Sequence, residues 1–158
     1  MKPEITLDEL DWRLLEALQQ DAGCSNQALA QRCHASPATT LRRVRRLEDL
    51  GVIERRVALL SVQHLGLGLQ AVVEVTLDRQ GAEHLAAFEA RVLAEGAVQQ
   101  CYRVSPGPDF VLIVQVLDMP AYHALVQRLF TQEANVRNVK SFFSVQRSKF
   151  TTALNLKP

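Results

Sequence analysis

The sequence of 158 residues has no long apolar run and no large excess of one charge. No stretch approaches the roughly 20 consecutive apolar residues that a membrane-spanning helix needs. The opening residues, MKPEITLDELD, are acidic and lack the apolar core of a secretory signal. With 47% hydrophobic and 22% charged residues, the composition is typical of a soluble globular protein. We therefore expect a cytoplasmic protein with no membrane partner.

Cysteine is scarce, which restricts disulfide and metal chemistry. The three cysteines, Cys24, Cys33 and Cys101, are an odd number without the spacing of a disulfide framework. We expect reduced thiols, and a redox-sensing role stays open. Cys24, Cys33 and His34 form the pattern C-x8-C-H, which matches no standard zinc site. We expect no metal site and no cofactor.

The net charge of +1 conceals an uneven distribution of charge along the chain. Residues 4–21 contain six acidic residues and one arginine, whereas residues 32–56 contain seven arginines and three acidic residues. A local basic region of this kind suits nucleic acid, although the total charge is almost neutral. The second of these segments is therefore the first candidate for a functional surface.

Apolar spacing and capping residues predict three helices in the first third of the chain. The leucines between Leu7 and Leu18 recur every three or four residues, which predicts a helix over Asp8–Gln20. A second, short helix is predicted near Asn26–Cys33. Ser36 followed by proline is a helix-start signal, so a third helix is expected over Pro37–Leu50.

The turn between the second and third helices contains His34 instead of glycine. Histidine tolerates a positive φ better than most other residues, so we expect His34 in the left-handed region at the end of the second helix. Two short helices joined by a tight turn and braced by a third helix are the layout of a helix-turn-helix. The sequence therefore predicts a DNA-binding domain, with the third helix as its recognition helix.

The third helix carries the basic residues of this layout. A helical projection places Leu41, Val44 and Leu47 on one side and most arginines on the other. Exposed arginines can be merely solvated, but the surrounding layout favours double-stranded DNA. Small residues at the start of the helix suit base edges, Arg42 can reach a guanine, and the other arginines suit phosphates. The predicted DNA contacts are Ser36, Ala38, Thr39, Thr40, Arg42, Arg43, Arg45 and Arg46.

The remaining sequence predicts a strand and then a second domain. The strand is Val52–Leu60, and residues 61–69 form a polar, glycine-containing linker. Beyond it we predict strand 70–77, helix 82–95, strand 98–104, strand 110–117, helix 120–130 and strand 136–149. This βαββαβ order predicts a ferredoxin-like sheet with both helices on one face. The expected fold class is α+β, with a winged-type helix-turn-helix domain at residues 1–60 and a βαββαβ domain at residues 70–158.

Four segments of the sequence resemble, in the same order, motifs of the Lrp/AsnC or feast/famine transcription regulators. They are LDELDWRLLEALQQDA, LAQRCHASPATTLRRVRRLEDLGVIERR, YHALVQRLF and KFTTALNL. The resemblance implies a sequence-specific regulator whose βαββαβ domain binds a small amino acid as effector. It also implies a homodimer that often assembles into an octamer. It carries DNA-binding positions over to Ser36, Thr39, Thr40, Arg42, Arg43 and Arg46, and effector positions to the Ser105–Asp109 loop.

The loop VSPGPDF, Val104–Phe110, departs from the pattern of that family. The family usually has Gly-x-x-Asp here, whereas this chain has Pro106-Gly107-Pro108-Asp109. His34, where glycine is usual, and Asn155, where proline is usual, are further departures. Proline has no backbone N–H, so the loop has lost donors that an amino-acid carboxylate would use. The prolines stiffen a turn, weaken the binding of the usual amino acids, or do both. The candidate effector-binding residues are Ser105, Gly107, Asp109 and Ser141.

Two other functions remain open. Proteins that decarboxylate sirohaem resemble the same family, so an enzyme on this architecture is one alternative. His64, His84 and His123 are scattered, with no paired base or nucleophile, and we identify no catalytic residue. The other alternative is a DNA-architectural protein that needs no effector. The arginine-rich helix favours a regulator, and we expect no enzymatic activity.

Overall fold

The computed structural model describes residues 5–132 and 135–156, and the chain divides into two compact units. One unit contains the chain up to Leu59 and the segment from Lys149 onward, and the other is Leu60–Ser148. This differs from the sequence-based boundary, which gave residues 149–158 to the second domain. The reason is a pair of hydrogen bonds between the Gln19 side chain and the backbone of Leu154. Gln19 Nε2 donates to Leu154 O at 3.2 Å, and the Leu154 N–H donates to Gln19 Oε1 at 2.6 Å.

The first unit contains three helices, as the sequence predicts. They are α1 (Glu9–Gln20), α2 (Asn26–Arg32) and α3 (Pro37–Asp49). Each begins with a polar side chain that accepts a hydrogen bond from the backbone three residues later: Asp8 from Asp11, Ser25 from Ala28 and Ser36 from Thr39. These caps satisfy donors that a helix start otherwise leaves unpaired.

The helices of the first unit pack through a small core. Its buried members are Leu14, Ala17, Leu29, Cys33 and Val44. Leu41, which the helical projection assigned to the apolar side of α3, is 42% exposed. The prediction for Leu41 is wrong because a unit this small covers only a narrow stripe of α3, centred on Thr40, Val44 and Leu47.

The turn between α2 and α3 has the predicted geometry. His34 has a φ of 52° and is the one non-glycine residue with a positive φ in the described ranges. The His34 N–H donates to Gln31 O at 3.2 Å, and the Ala35 N–H donates to Ala30 O at 3.0 Å. These bonds close the last turn of α2 and direct the chain into the cap of α3.

The strand predicted over Val52–Leu60 is absent, so this prediction is wrong for the chain taken alone. No strand pairs with this segment in the described part of the chain. A strand needs a partner for its backbone groups. The apolar side chains of Val57, Leu59 and Leu60 are 61%, 60% and 71% exposed.

The second unit has the predicted βαββαβ order. Its elements are β1 (Leu69–Leu77), α4 (Ala82–Ala94), β2 (Val98–Arg103), β3 (Phe110–Val116), α5 (Met119–Val126), which continues as the π-helical turn Gln127–Thr131, and β4 (Val136–Phe143). The strand order is β2-β3-β1-β4, and all neighbours are antiparallel. The last strand ends at Phe143 and not at the predicted Lys149, because its final partner on β1 is Ala71.

The core of the second unit lies between the sheet and its two helices. Ala71, Val73, Val75 and Leu77 alternate along β1 and are buried, together with Phe88 of α4 and Leu125 of α5. The alternate residues Val72, Glu74 and Thr76 point to the opposite face and are half-buried. None of the helices in the described ranges has the length and apolar character that a membrane span requires.

Replacing His34 by glycine should stabilise the first unit. A left-handed conformation costs a non-glycine residue about 1–2 kcal/mol. Glycine avoids this cost, but it makes the unfolded chain more flexible, which offsets part of the gain in stability. We expect the free energy of unfolding of His34→Gly to rise by up to about 1 kcal/mol, measured by thermal or urea denaturation. The control Ala35→Gly, at a position without a positive φ, should lose stability. A less stable His34→Gly protein would contradict the proposed strain at this turn.

Candidate functional site

One exposed stripe runs along the outer side of α3. Ala38, Arg42 and Arg45 are four and three positions apart, so their side chains follow one line on the helix. All three residues are exposed, and so is Ser36 at the cap. Neither Arg42 nor Arg45 forms an ion pair with any residue in the described ranges. The stripe therefore presents small side chains near the start of α3 and two available guanidinium groups beyond them.

The two threonines predicted to contact DNA lie elsewhere. Thr40 is fully buried, and its Oγ1 has no hydrogen-bond partner among the described residues. A DNA contact for Thr40 is therefore excluded, because the position points into the core and not along the exposed stripe. Thr39 is half-buried, and its Oγ1 accepts a hydrogen bond from Ser36 Oγ at 2.9 Å.

Arg43 and Arg46 point towards α1 and are held by two aspartates. Arg43 Nη1 lies 2.7 Å from Asp8 Oδ2 and 3.3 Å from Asp11 Oδ2. Arg46 Nη1 lies 3.1 Å from Asp11 Oδ2. We call these four residues the α1–α3 ion cluster. The Asp11 side chain is only 1% exposed. A buried carboxylate is costly unless a cation pairs with it, so these arginines stabilise the charge of Asp11.

Asp8 and Arg43 stabilise each other in their charged forms. The hydrogen bond from the Asp11 N–H, with a further contribution from Arg43, holds the pKa of Asp8 below its ordinary value. The hydrogen bond to Asp8 in turn raises the pKa of Arg43. Both groups are therefore ionised at neutral pH. Neither aspartate was among the site residues predicted from the sequence, because no local pattern indicates their contacts with α3.

In the second unit, Asp109 fastens the proline-containing loop to β1. Asp109 Oδ2 accepts hydrogen bonds from the Leu77 N–H at 2.7 Å and from Gln80 Nε2 at 3.3 Å. The Asp109 N–H donates to Val75 O at 2.9 Å, and Asp109 O accepts from the Val104 N–H at 3.1 Å. Asp109 therefore has a structural role, and its amide is not available to a ligand while these bonds persist.

The remaining effector candidates are not brought together within one chain. Ser105 and Gly107 are exposed in the loop, and Gly107 has a φ of 125°. Ser141 lies on β4 opposite Val73, and its Oγ shares a hydrogen bond with the Tyr122 hydroxyl of α5. Ser141 therefore faces the helix layer, because its partner Val73 belongs to the core between sheet and helices. Its strand, β4, is also separated from β3 by β1.

The cysteines provide no assembled redox or metal site. All three are free, and burial raises the pKa of the Cys33 and Cys101 thiols. These two thiols are therefore protonated and weak nucleophiles at neutral pH. In the part of the chain that the structure describes, no group of three or more His, Cys, Asp or Glu side chains could hold a metal ion.

Two family models match the chain and divide it between its two functions. A winged helix-turn-helix DNA-binding model matches residues 7–54, and the Lrp/AsnC ligand-binding-domain model matches residues 70–154. The chain thus has the domain pair of an effector-responsive DNA-binding protein. It belongs to the Lrp/AsnC family, as the sequence motifs indicate.

Similar proteins match over almost the whole chain. An HTH-type transcriptional regulator from Haemophilus influenzae is 37% identical over 96% of this chain and 90% of its own length. The leucine-responsive regulatory protein of Escherichia coli is 33% identical over 99% of this chain and 95% of its own length. A transcriptional regulator from Neisseria meningitidis, solved in complex with L-Met, has a TM-score of 0.90 and 32% identity, covering 96% of this chain and 97% of its own.

Proposed function

We propose that this protein is a sequence-specific DNA-binding transcription regulator and not an enzyme. The observation that carries the proposal is the exposed stripe of Ala38, Arg42 and Arg45 on the recognition helix of a helix-turn-helix. The N-terminal part of such a helix meets base edges in the major groove. The similar proteins named above as transcription regulators support the same function.

The exposed residues of α3 suit different parts of a DNA duplex. Ser36 and Ala38 are small enough for close approach to the groove. We assign to Arg42 a bidentate contact, in which two guanidinium nitrogens donate to the O6 and N7 atoms of a guanine. Arg45, one turn further along, suits a phosphate and therefore contributes mainly to sequence-independent affinity. Arg43 and Arg46 do not enter this proposal, because the ion cluster engages both.

Arg42→Ala and Arg45→Ala should weaken DNA binding in different ways. Arg42→Ala should lose about 1–3 kcal/mol of discrimination at one base pair. Arg45→Ala should weaken binding to all sequences and reduce the slope of log K against log salt by about 0.9. Fluorescence anisotropy with operator and scrambled duplexes at several salt concentrations measures both effects. Arg103→Ala in the second unit removes the same charge as a control. Wild-type specificity and salt slope in both α3 variants would contradict the proposed interface.

We further propose a two-fold dimer that can assemble into an octamer. On the sheet face opposite the helices, Ile113, Val72 and Phe142 lie side by side on three neighbouring strands. Phe142, on the edge strand β4, is aromatic and yet 53% exposed. In the first unit, the unpaired Val52–Leu59 segment borders a cavity of about 780 Å³ beside α1, which is lined largely by apolar side chains. A second copy would cover such surfaces, and closed symmetry is the usual solution.

Light scattering should find a dimer or a larger assembly at micromolar concentration. Phe142→Lys should shift the population towards monomers, because it places a charge in the apolar row of the sheet. Leu93→Lys changes a leucine that is 70% exposed on α4 and serves as the control. A monomeric wild-type protein at micromolar concentration would overturn the proposed dimer.

We also propose that an amino acid or related small molecule modulates DNA binding, with the Ser105–Asp109 loop as part of its site. The N. meningitidis regulator in complex with L-Met supports an amino-acid ligand. In this chain, however, Pro106 and Pro108 supply no N–H, and the Asp109 amide and carboxylate are already bonded to β1. The donors left in the loop are the amides of Ser105 and Gly107 and the Ser105 hydroxyl. We therefore expect weak binding of common amino acids, or a ligand with different chemistry.

Restoring an amide in the loop should strengthen binding of an amino acid. One regained charge-assisted hydrogen bond is worth about 1.5–3 kcal/mol, which is a gain of roughly tenfold or more in affinity. We expect this gain by calorimetry with L-methionine for Pro106→Gly and for Pro106→Ala, which restores the N–H without the flexibility of glycine. Gly107 is left unchanged because its positive φ disfavours any side chain. Micromolar binding by the wild type with no gain in either variant would show that the missing amide is unimportant.

A further inference from the structure

The α1–α3 ion cluster divides the arginines of the recognition helix into two pairs. Arg42 and Arg45 are exposed along the outer stripe. Arg43 and Arg46 contact carboxylates that lie 32 and 35 positions earlier in the chain. Half of the positive charge that α3 could offer to a phosphate is therefore neutralised within the protein.

The two arginines are held by more than a single surface ion pair. Asp11 Oδ2 contacts both guanidinium groups, at 3.3 Å and 3.1 Å. Arg43 also contacts Asp8 at 2.7 Å, and Arg46 Nη2 donates to Thr6 O at 3.2 Å. The side chains of Arg43 and Arg46 are nevertheless 27% and 43% exposed. They are thus close enough to solvent to meet a phosphate if the carboxylates released them.

We propose that Asp8 and Asp11 act as internal anions that withhold Arg43 and Arg46 from the phosphates of DNA. In this way they limit sequence-independent binding and raise the share of the binding that depends on Arg42 at a base edge. The inference rests on the proposed DNA-binding function and deepens it. It assigns a specificity-determining role to the N-cap residue of α1 and to a residue of its first turn, neither of which is proposed to contact DNA.

Burial makes this competition unequal. The Asp11 side chain is only 1% exposed and cannot follow an arginine that swings outward. An arginine that left for a phosphate would remove one of the two cations that compensate the buried carboxylate of Asp11, which is costly. A phosphate therefore has to replace a fixed, partly desolvated partner and not merely displace water. Neutralising the carboxylates removes this competitor while the guanidinium groups stay in place.

The test compares Asp8→Asn and Asp11→Asn with the wild type on scrambled duplex DNA over a range of salt concentrations. Each phosphate contact contributes about 0.9 to the slope of log K against log salt. Asp8→Asn should steepen the slope by up to about 0.9, because it removes the shorter of the two carboxylate contacts of Arg43. Asp11→Asn should also steepen it by up to about 0.9, because it frees Arg46 while Asp8 still pairs with Arg43. The ratio of operator to scrambled affinity should fall in both variants.

Glu16→Gln is the matched control, because Glu16 is an exposed acid of α1 outside the cluster. It removes one negative charge and should keep the wild-type slope. Asparagine is as good an N-cap as aspartate, so Asp8→Asn preserves the start of α1 and carries the test even if Asp11→Asn proves unstable. Circular dichroism before each titration establishes that a variant is folded.

Wild-type slopes and an unchanged operator preference in folded Asp8→Asn would overturn the inference. So would an equal steepening in Glu16→Gln, because the effect would then be one of overall charge. Failure of the wild type to bind any duplex would instead overturn the proposed function itself. The two failures are therefore distinguishable in one set of titrations.

Discussion

The buried carboxylate of Asp11 is the constraint on which the DNA-binding unit depends. A charge that is removed from water must be compensated at close range, and here the compensation comes from two arginines of α3. The contact fixes which side of α3 faces α1. The neighbouring stripe, with Arg42 and Arg45, is consequently the side that remains available to a partner. One interaction thus contributes to the packing of the unit and selects its functional surface.

A second carboxylate has a comparable role in the βαββαβ unit. Asp109 ties the proline-containing loop to β1 by accepting from the Leu77 amide and the Gln80 side chain. The loop therefore has its shape before any ligand arrives, and few of its donors are free. In both units, the carboxylate of an aspartate is bonded within the protein, and these bonds limit which nearby polar groups remain available.

Periodicity and capping signals were sufficient to predict all three helices, the βαββαβ order and the conformation of His34, because these features depend on neighbours in sequence. Thr40 was misplaced because it was assigned to DNA by its small size near the helix start, although it lies on the same side of α3 as the buried Val44 and Leu47. The partners of Arg43 and Arg46 were missed because contacts over more than 30 positions leave no local pattern. The strand over Val52–Leu60 is absent because its backbone has no partner within the described part of the chain.

The division of the α3 arginines is the central claim, and the most direct measurement observes each guanidinium group separately. In a 15N-labelled protein, the arginine Nε–Hε resonances can be followed by NMR while operator duplex is added. The Arg42 and Arg45 resonances should shift and saturate with the duplex, whereas those of Arg43 and Arg46 should remain near their positions in the free protein. Equal shifts for all four arginines would contradict the account.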